Sequence, residues 1–537
     1  MGNKQKSKVS WIFVCILGDI KKDSKMTITS FNFLLLVGIS SMIYYLVPAR
    51  FQWYILLITS LAFYHFVAVD YTIVFLAISA LTAYITTNMI YRLRQQDREC
   101  ASVCTAMAIG AIAINVVLWF VLKAQDLWMP IGQLFLNFFQ ISSPESVLTV
   151  NILAGLGMGY YTVQIIGYIL DCYWGTAEPQ KNPLKLFLFV CYYPQLTTGP
   201  ISRYHQLQTL YTGHKFQYSN IARGSQRILW GFVKKLVLAE RLAIIIPELS
   251  NYHFYTDFHL WMAILLFPIQ MYADFSGCMD IVLGVSEIYG ISLPENFRNP
   301  FFARSSQEFW QRWHITLGTW AKDYILYPLL KSSFMQKLTK VAKKRFGKKT
   351  GKFIATAAGM FVLWMAIGIW HGGIQYIVGV SLWYWFVLMG AELLAPVFKK
   401  INIKMGFRTD TFSWHLFQSA RVYVTYAIGA VFFSKGILGG LTLLKRAVLA
   451  CNPWVFFDES ILNMGVSYAD INVMIVCVGL LLVVGVLREK HGYARNWVEK
   501  QCLFFRWLVW IALFMLVLIY GKYGQAYDAA QFIYQGF

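Results

Sequence analysis

The sequence predicts an all-α, polytopic integral membrane protein, on three observations. Charged residues make up 14% of the 537 positions, and 58% are hydrophobic; soluble chains average about 25% charged. Several uncharged windows of about 20 residues are each long enough to cross a hydrocarbon core as a helix. These windows are uniformly apolar rather than alternating, which excludes a transmembrane β-barrel.

The net charge of +21 would point to nucleic acid in a soluble protein. Here the excess falls in short segments between apolar windows, as the positive-inside bias requires, so no nucleic-acid partner is expected. Nine cysteines without a CxxC pair read as small buried hydrophobes, not as a disulfide or metal set. Residues 11–20 are apolar but short, contain Asp19 and lack a small-residue cleavage site, so they read as a surface-lying segment rather than a cleaved signal. The expected organisation is an N-terminal tail or interfacial segment, 1–26, and one transmembrane domain, 27–537. That domain should hold about 11 transmembrane helices with re-entrant and amphipathic helices.

Taken in order, spans are expected at 29–47, 52–69 and 71–90, joined by tight turns. The loop 91–99 carries three arginines and should be cytoplasmic. Counting back through three spans puts the N-terminus outside, against Lys21, Lys22 and Lys25, which favour inside. A fourth span covers 105–122, and 124–146 should be exoplasmic. Residues 147–175 are glycine-rich, which permits close helix contact; position 160 is Tyr, so the GxGxxG spacing fails and no nucleotide role follows. Residues 184–201 are short and proline-broken, and are read as re-entrant. Apolar windows follow at 228–248 and 258–290, the second with Asp274 and Asp280. Those carboxylates could serve chemistry, but holding helices together is about twice as expected.

The run 331–352 carries nine Lys/Arg and should be a cytoplasmic loop; 397–408 is also basic. Between them lie windows 353–370 and 374–396, a hairpin whose turn, His371–Gly372–Gly373, faces outside. Spans at 413–434, 471–487 and 503–520 complete the count. The acidic segment 451–470 is expected outside, 488–500 inside and the C-terminal tail outside.

The chemistry concentrates between Pro294 and Gly372. Ser305–x–x–Glu308 is a capping-box pattern that should start one helix through 309–329, with Phe309, Trp313, Trp320, Tyr324 and Tyr327 near one stripe. His314 follows Trp310 by four residues and should share a second face with it. Alone, His314 is more often structural than catalytic. His371 sits between Trp370 and a Gly–Gly pair at the end of an apolar span, with room beside its ring. A buried neutral imidazole there can deprotonate a hydroxyl as it attacks an activated acyl group. No GxSxG, HExxH or P-loop is present, which leaves direct transfer from donor to hydroxyl as the simplest mechanism.

The run from YADFSGCMD (272–280) through PENFRNPF and SQEFWQRWHITLGTWAKDYILYPL to IWHG (369–372) resembles the membrane-bound O-acyltransferase family, in particular its bacterial branch of alginate O-acetylation and teichoic acid D-alanyl transfer proteins. YYTVQIIGYILD (160–171), YYPQLTTGPISR (192–203) and the Phe-Ile-Tyr tail (532–534) also fit. The resemblance implies a ring of helices around a central tunnel, entered by a thioester donor from the cytoplasm and by the acceptor from outside. It maps the family's invariant histidine onto His371, as base. It maps the second polar position onto His314, where eukaryotic relatives often carry Asn; there the residue either binds the donor carbonyl or braces the tunnel. Trp310, Trp313, Trp370, Asn296, Asp323 and Asp274 are the expected tunnel-lining or supporting residues, with Arg312 part of the same motif. Lys322–Asp323–Tyr324 stands where bacterial relatives often have Arg-Asp-Tyr, keeping the charge without the bidentate fork.

The implied function is transfer of an acyl group, acetyl first, from acetyl-CoA or an acyl carrier protein across a bacterial cytoplasmic membrane onto a cell-envelope polysaccharide. No bound cofactor is expected. The expected partners are the bilayer and an extracytoplasmic SGNH-type acyltransferase. D-alanyl transfer from a carrier protein to teichoic acid is the alternative of the same class. A transporter or export scaffold is the alternative of another class, although no inverted repeat supports it.

Overall fold

The computed structural model describes residues 26–68, 72–96, 100–123, 157–449 and 452–523. Among these, helix is the only extended regular structure, and an isolated antiparallel bridge joins Phe297 to Trp313. Among the described residues, eight helices are long and apolar enough to cross a membrane: Ile73–Gln96, Ala101–Leu122, Phe258–Ile288, Ser333–His371, Ile374–Lys404, Phe412–Leu449, Tyr468–His491 and Leu503–Tyr520. Phe31–Leu46, Gln52–Val67 and Met158–Trp174 are apolar but shorter, at 16, 16 and 17 residues. The N-terminal segment, the 124–146 loop and the C-terminal tail with its Phe-Ile-Tyr lie outside the described residues.

Several expected boundaries move. The basic run 331–352 is not a loop: it is mostly helical from Ser333, and a kink at Gly347, with φ 81°, separates this helix from the span that ends at His371. Its lysines face solvent while Met335 and Ala342 are buried, so an amphipathic helix carries the charge. Gly351 makes the fold-back possible, since a Cβ there would lie 2.4 Å from the Lys343 backbone nitrogen. The window 228–248 is the C-terminal two thirds of a longer helical stretch: Tyr218–Phe232, a π-helical segment Val233–Ala239, then Glu240–Leu249. The stretch 184–201 is short and broken, as its prolines require. Pro183–Cys191 ends at Tyr192, a four-residue turn Tyr193–Leu196 follows, and nearly all of it is buried in protein, which is where broken backbone is tolerated.

Glycine lets two helices cross almost backbone to backbone. A Cβ at Gly231 would stand 2.7 Å from the Gly277 carbonyl oxygen, and one at Gly224 2.6 Å from that of Gly284. Tyr218–Phe232 thereby lies tight against Phe258–Ile288, the long buried helix behind the site.

Candidate active site

One cavity of about 710 Å³ is walled by both histidines. Its wall includes Thr356, Met360, Trp364 and His371. These positions run along one helix, which rises about 22 Å from Thr356 to His371 at 1.5 Å per residue. Ser305, Gln307, Lys322 and Glu392 also line it, and Glu392 belongs to the helix that continues into the basic 397–404 stretch. The cavity therefore runs from the end that bears the basic segments to the Gly372–Gly373 turn.

His371 is the last residue of Ser333–His371. Gly372 and Gly373 follow with φ of 81° and 75°, a left-handed pair that L side chains adopt only at a cost. Both helices of the hairpin approach closely just before the turn: a Cβ on Gly368 would fall 2.0 Å from Ser381 Oγ, whose hydroxyl instead donates to the Trp364 carbonyl at 2.6 Å. The His371 ring stacks on Tyr376, with centroids 5.2 Å apart and planes 6° apart, and lies 6.2 Å from the His314 ring. Trp370 points away from the turn and donates to the Gly159 carbonyl at 3.0 Å. The glycine-rich helix Met158–Trp174 thus receives two indoles, because Trp320 donates to the Val163 carbonyl at 2.9 Å.

The single helix expected from the capping-box pattern is broken at the residue that matters. Ser305 Oγ does accept from Glu308 N–H at 3.1 Å, but the Glu308 carboxylate accepts from Arg304 N–H rather than from Ser305. Ser306–Arg312 then stops, and Ile315–Ala321 begins after His314 in the left-handed region, φ 46° and ψ 51°. His314 and Trp310 therefore do not share a helical face by an i,i+4 repeat. A non-glycine residue pays about 1–2 kcal/mol for that conformation, and it persists where surrounding contacts over-determine it. Here segment 296–298 supplies them. Arg298 N–H donates to the Arg312 carbonyl at 2.9 Å, Phe297 bridges Trp313, and Ile315 N–H donates to the Asn296 carbonyl at 3.0 Å.

Asn296 is the hub of this clamp and is fully buried. Its Oδ1 accepts from Thr316 N–H at 3.1 Å and from the Thr316 hydroxyl at 3.0 Å, and lies 3.2 Å from His314 Nδ1. Its Nδ2 faces Met279 Sδ at 3.5 Å. Trp313 is buried beside it and packs edge-on against Phe297 at 5.1 Å. Trp310 lines the cavity, with its ring 4.8 Å from Trp364 and 4.6 Å from Tyr384. Among the described residues, Nε1 of Trp310, Nε1 of Trp364 and Nε2 of His314 are buried without a hydrogen-bond partner.

Four expected residues are not on the cavity wall: Trp370 and Asn296 stand behind it in the contacts just described, and Asp274 and Asp323 are held in ion pairs elsewhere. Asp274 pairs with Lys235 Nζ at 2.6 Å, and Lys235 also holds Glu240 at 2.7 Å, all three buried. Asp280 likewise pairs with Lys234 at 2.6 Å and Arg227 at 2.9 Å. These carboxylates do tie helices together, but through buried Lys and Arg partners rather than the backbone or Tyr/Ser partners expected. Asp323 pairs with Arg203, whose guanidinium also lies over the Tyr324 ring at 5.4 Å; its neighbour Lys322 lines the cavity instead. Sequence reasoning did not single out Trp364, Tyr376 or Tyr384. Trp364 lies seven residues, two turns, before His371, a spacing that could have drawn attention to it.

Comparison with known proteins agrees with this geometry. The model of the MBOAT, membrane-bound O-acyltransferase family, matches residues 179–429, a stretch that holds both histidines. The probable alginate O-acetylase AlgI of Pseudomonas syringae pv. tomato is 26% identical over 401 residues, 73% of this chain and 72% of that protein. The teichoic acid D-alanyltransferase of Bacillus subtilis is 30% identical over 237 residues, 42% of this chain and 56% of that one. The peptidoglycan O-acetyltransferase of Helicobacter pylori is 27% identical over 291 residues, 48% and 50%. With a cavity that leads along these helices to a buried histidine, the chain is similar to the membrane-bound O-acyltransferase family over residues 179–429 and is an O-acyltransferase.

Proposed function

We propose that this enzyme takes an acetyl group from a cytoplasmic thioester and passes it through the membrane to a hydroxyl of a cell-envelope polysaccharide. The observation that carries the reading is the cavity itself, which joins the basic end of the molecule to His371. Acetyl-CoA or an acidic acyl carrier protein is drawn to that basic end. The membrane is the cytoplasmic membrane of a bacterium, and an SGNH-type partner on the outer side completes delivery to the polymer.

His371 is the general base. It takes the proton of the attacking hydroxyl as the oxygen bonds to the acyl carbon; the carbon–sulfur bond then breaks, and the proton goes to the departing thiolate. The stacked Tyr376 ring fixes the plane of the imidazole. Replacing His371 with Ala should abolish envelope O-acylation, read by mass spectrometry of isolated polysaccharide, while expression and thermal stability stay unchanged. Normal acylation in that variant overturns the assignment. The Bacillus subtilis relative favours a second reading, D-alanyl transfer to teichoic acid, and the mass of the added group separates the two.

A further inference from the structure

The hydrogen bonds around Asn296 fix which nitrogen of His314 carries hydrogen. A backbone N–H can only donate, so the atom facing Thr316 N at 3.1 Å is the amide oxygen. The Thr316 hydroxyl agrees from the other side: it accepts from Ile201 N–H at 3.0 Å, which directs its hydrogen to the same oxygen. An amide oxygen only accepts. His314 Nδ1, 3.2 Å from it, is therefore the protonated nitrogen, and neutral His314 presents a lone pair at Nε2. That atom is buried and without a partner among the described residues, in a side chain only 5% exposed that lines the cavity.

A lone pair cannot bind the thioester carbonyl, which is itself an acceptor. It binds an N–H. Every thioester carried on a phosphopantetheine arm has one: the sulfur is joined through two methylenes to a secondary amide. That amide also needs a donor for its carbonyl, and Trp310 Nε1–H, buried and without a partner, lines the same cavity four residues earlier in the chain. The two orphaned groups, one acceptor and one donor on the same cavity, are of the two kinds an amide needs.

We propose that His314, held as the Nδ1–H tautomer by Asn296, receives the cysteamine amide N–H of the donor arm at Nε2, which makes it a donor-positioning residue and Asn296 the residue that sets its tautomer. The proposal rests on the acyl-transfer reading. The amide arm is common to coenzyme A and to carrier proteins, so the role holds for either source.

The test uses membrane vesicles carrying the full chain, supplies a polysaccharide as hydroxyl acceptor, and measures thiol release from two small thioesters as the acyl group passes to it. One is S-acetyl-N-acetylcysteamine; the other is its ester isostere, in which oxygen replaces the N–H. Wild-type enzyme should prefer the amide by about tenfold in kcat/KM, one hydrogen bond's worth. His314→Ala should bring the ratio near one. His314→Gln, whose side-chain oxygen reaches the Nε2 position, should keep the preference and shows that the fold survives. Asn296→Leu should lower it. With full-length donors, acetyl-CoA or acetyl carrier protein, whichever is used faster should show the His314→Ala penalty in KM more than in kcat. An equal rate on both small thioesters in wild type, or an unchanged ratio in His314→Ala, overturns the proposal while leaving acyl transfer standing. Wild-type release no faster than in His371→Ala vesicles, with every thioester, removes the acyl-transfer reading and the proposal with it.

Discussion

Individual residues around the cavity divide by whether their polar atoms are already satisfied. Trp320 and Trp370 spend their indole N–H groups on carbonyls of Met158–Trp174 and so act as wall. Trp364 does not, among the described residues, and it sits two turns, about 10 Å, before His371. That depth suits an amide carbonyl further along an extended thioester arm. Trp364→Phe keeps the ring and removes the donor, and a buried donor without its partner costs about 1–3 kcal/mol. The expected result is a rise in KM for the thioester donor of about tenfold, with kcat near wild type, measured by thiol release; an unchanged KM refutes the assignment. The place of His371, at the end of its span and before a Gly–Gly turn, was legible in the sequence, because the apolar window stops there. The geometry at His314 was not. Its left-handed conformation is imposed by contacts with residues 296–298, and no local pattern in FWQRWHITL announces a break there.

At the scale of elements, the same split holds between local and tertiary causes. The apolar windows gave the long spans, and the Ser305 cap marked the true start of its helix. The basic 331–352 run was misread as a loop because charge density signals exposure, and an exposed amphipathic helix satisfies that signal equally well. The Lys235 ties to Glu240 and Asp274 were hidden for another reason: Asp274 lies on a different helix, and only the packing brings it near. That packing depends on glycine. At Gly231 a Cβ would meet backbone, the Gly277 carbonyl, at 2.7 Å, whereas at Gly479 nothing stands within 4 Å. Gly231→Ala must therefore spread two helices whose backbones touch, at a cost of about 1–3 kcal/mol. Gly479→Ala should be neutral. Thermal unfolding in detergent should show a lowered midpoint for the first and none for the second; equal midpoints would mean that the crossing tolerates a methyl group.

The whole molecule is arranged by its solvent. Leu503–Tyr520 buries no residue, and Phe504, Trp507, Ile511 and Phe514 are exposed on it, which is stable only against hydrocarbon. The two ends of the helix bundle differ in charge. Lys399, Lys400, Arg408, Arg488 and Lys490 gather at one end, with the lysines of 337–352. The segment 452–467, which joins Phe412–Leu449 to Tyr468–His491, lies at the other, with His371, and carries Asp458 and Glu459. By the positive-inside bias the basic end is expected inside, the orientation that the proposed direction of acyl flow requires. Cys502 is exposed and follows the basic segment 488–500, so in intact cells a membrane-impermeant maleimide should leave it unlabelled until the membrane is opened. Phe457, 82% exposed, is on the opposite side, and in Phe457→Cys the new thiol should react at once without permeabilisation. Labelling with the opposite sidedness would turn the cavity around, placing its polar mouth outside and His371 toward the cytoplasm, and a cytoplasmic thioester could no longer be the donor.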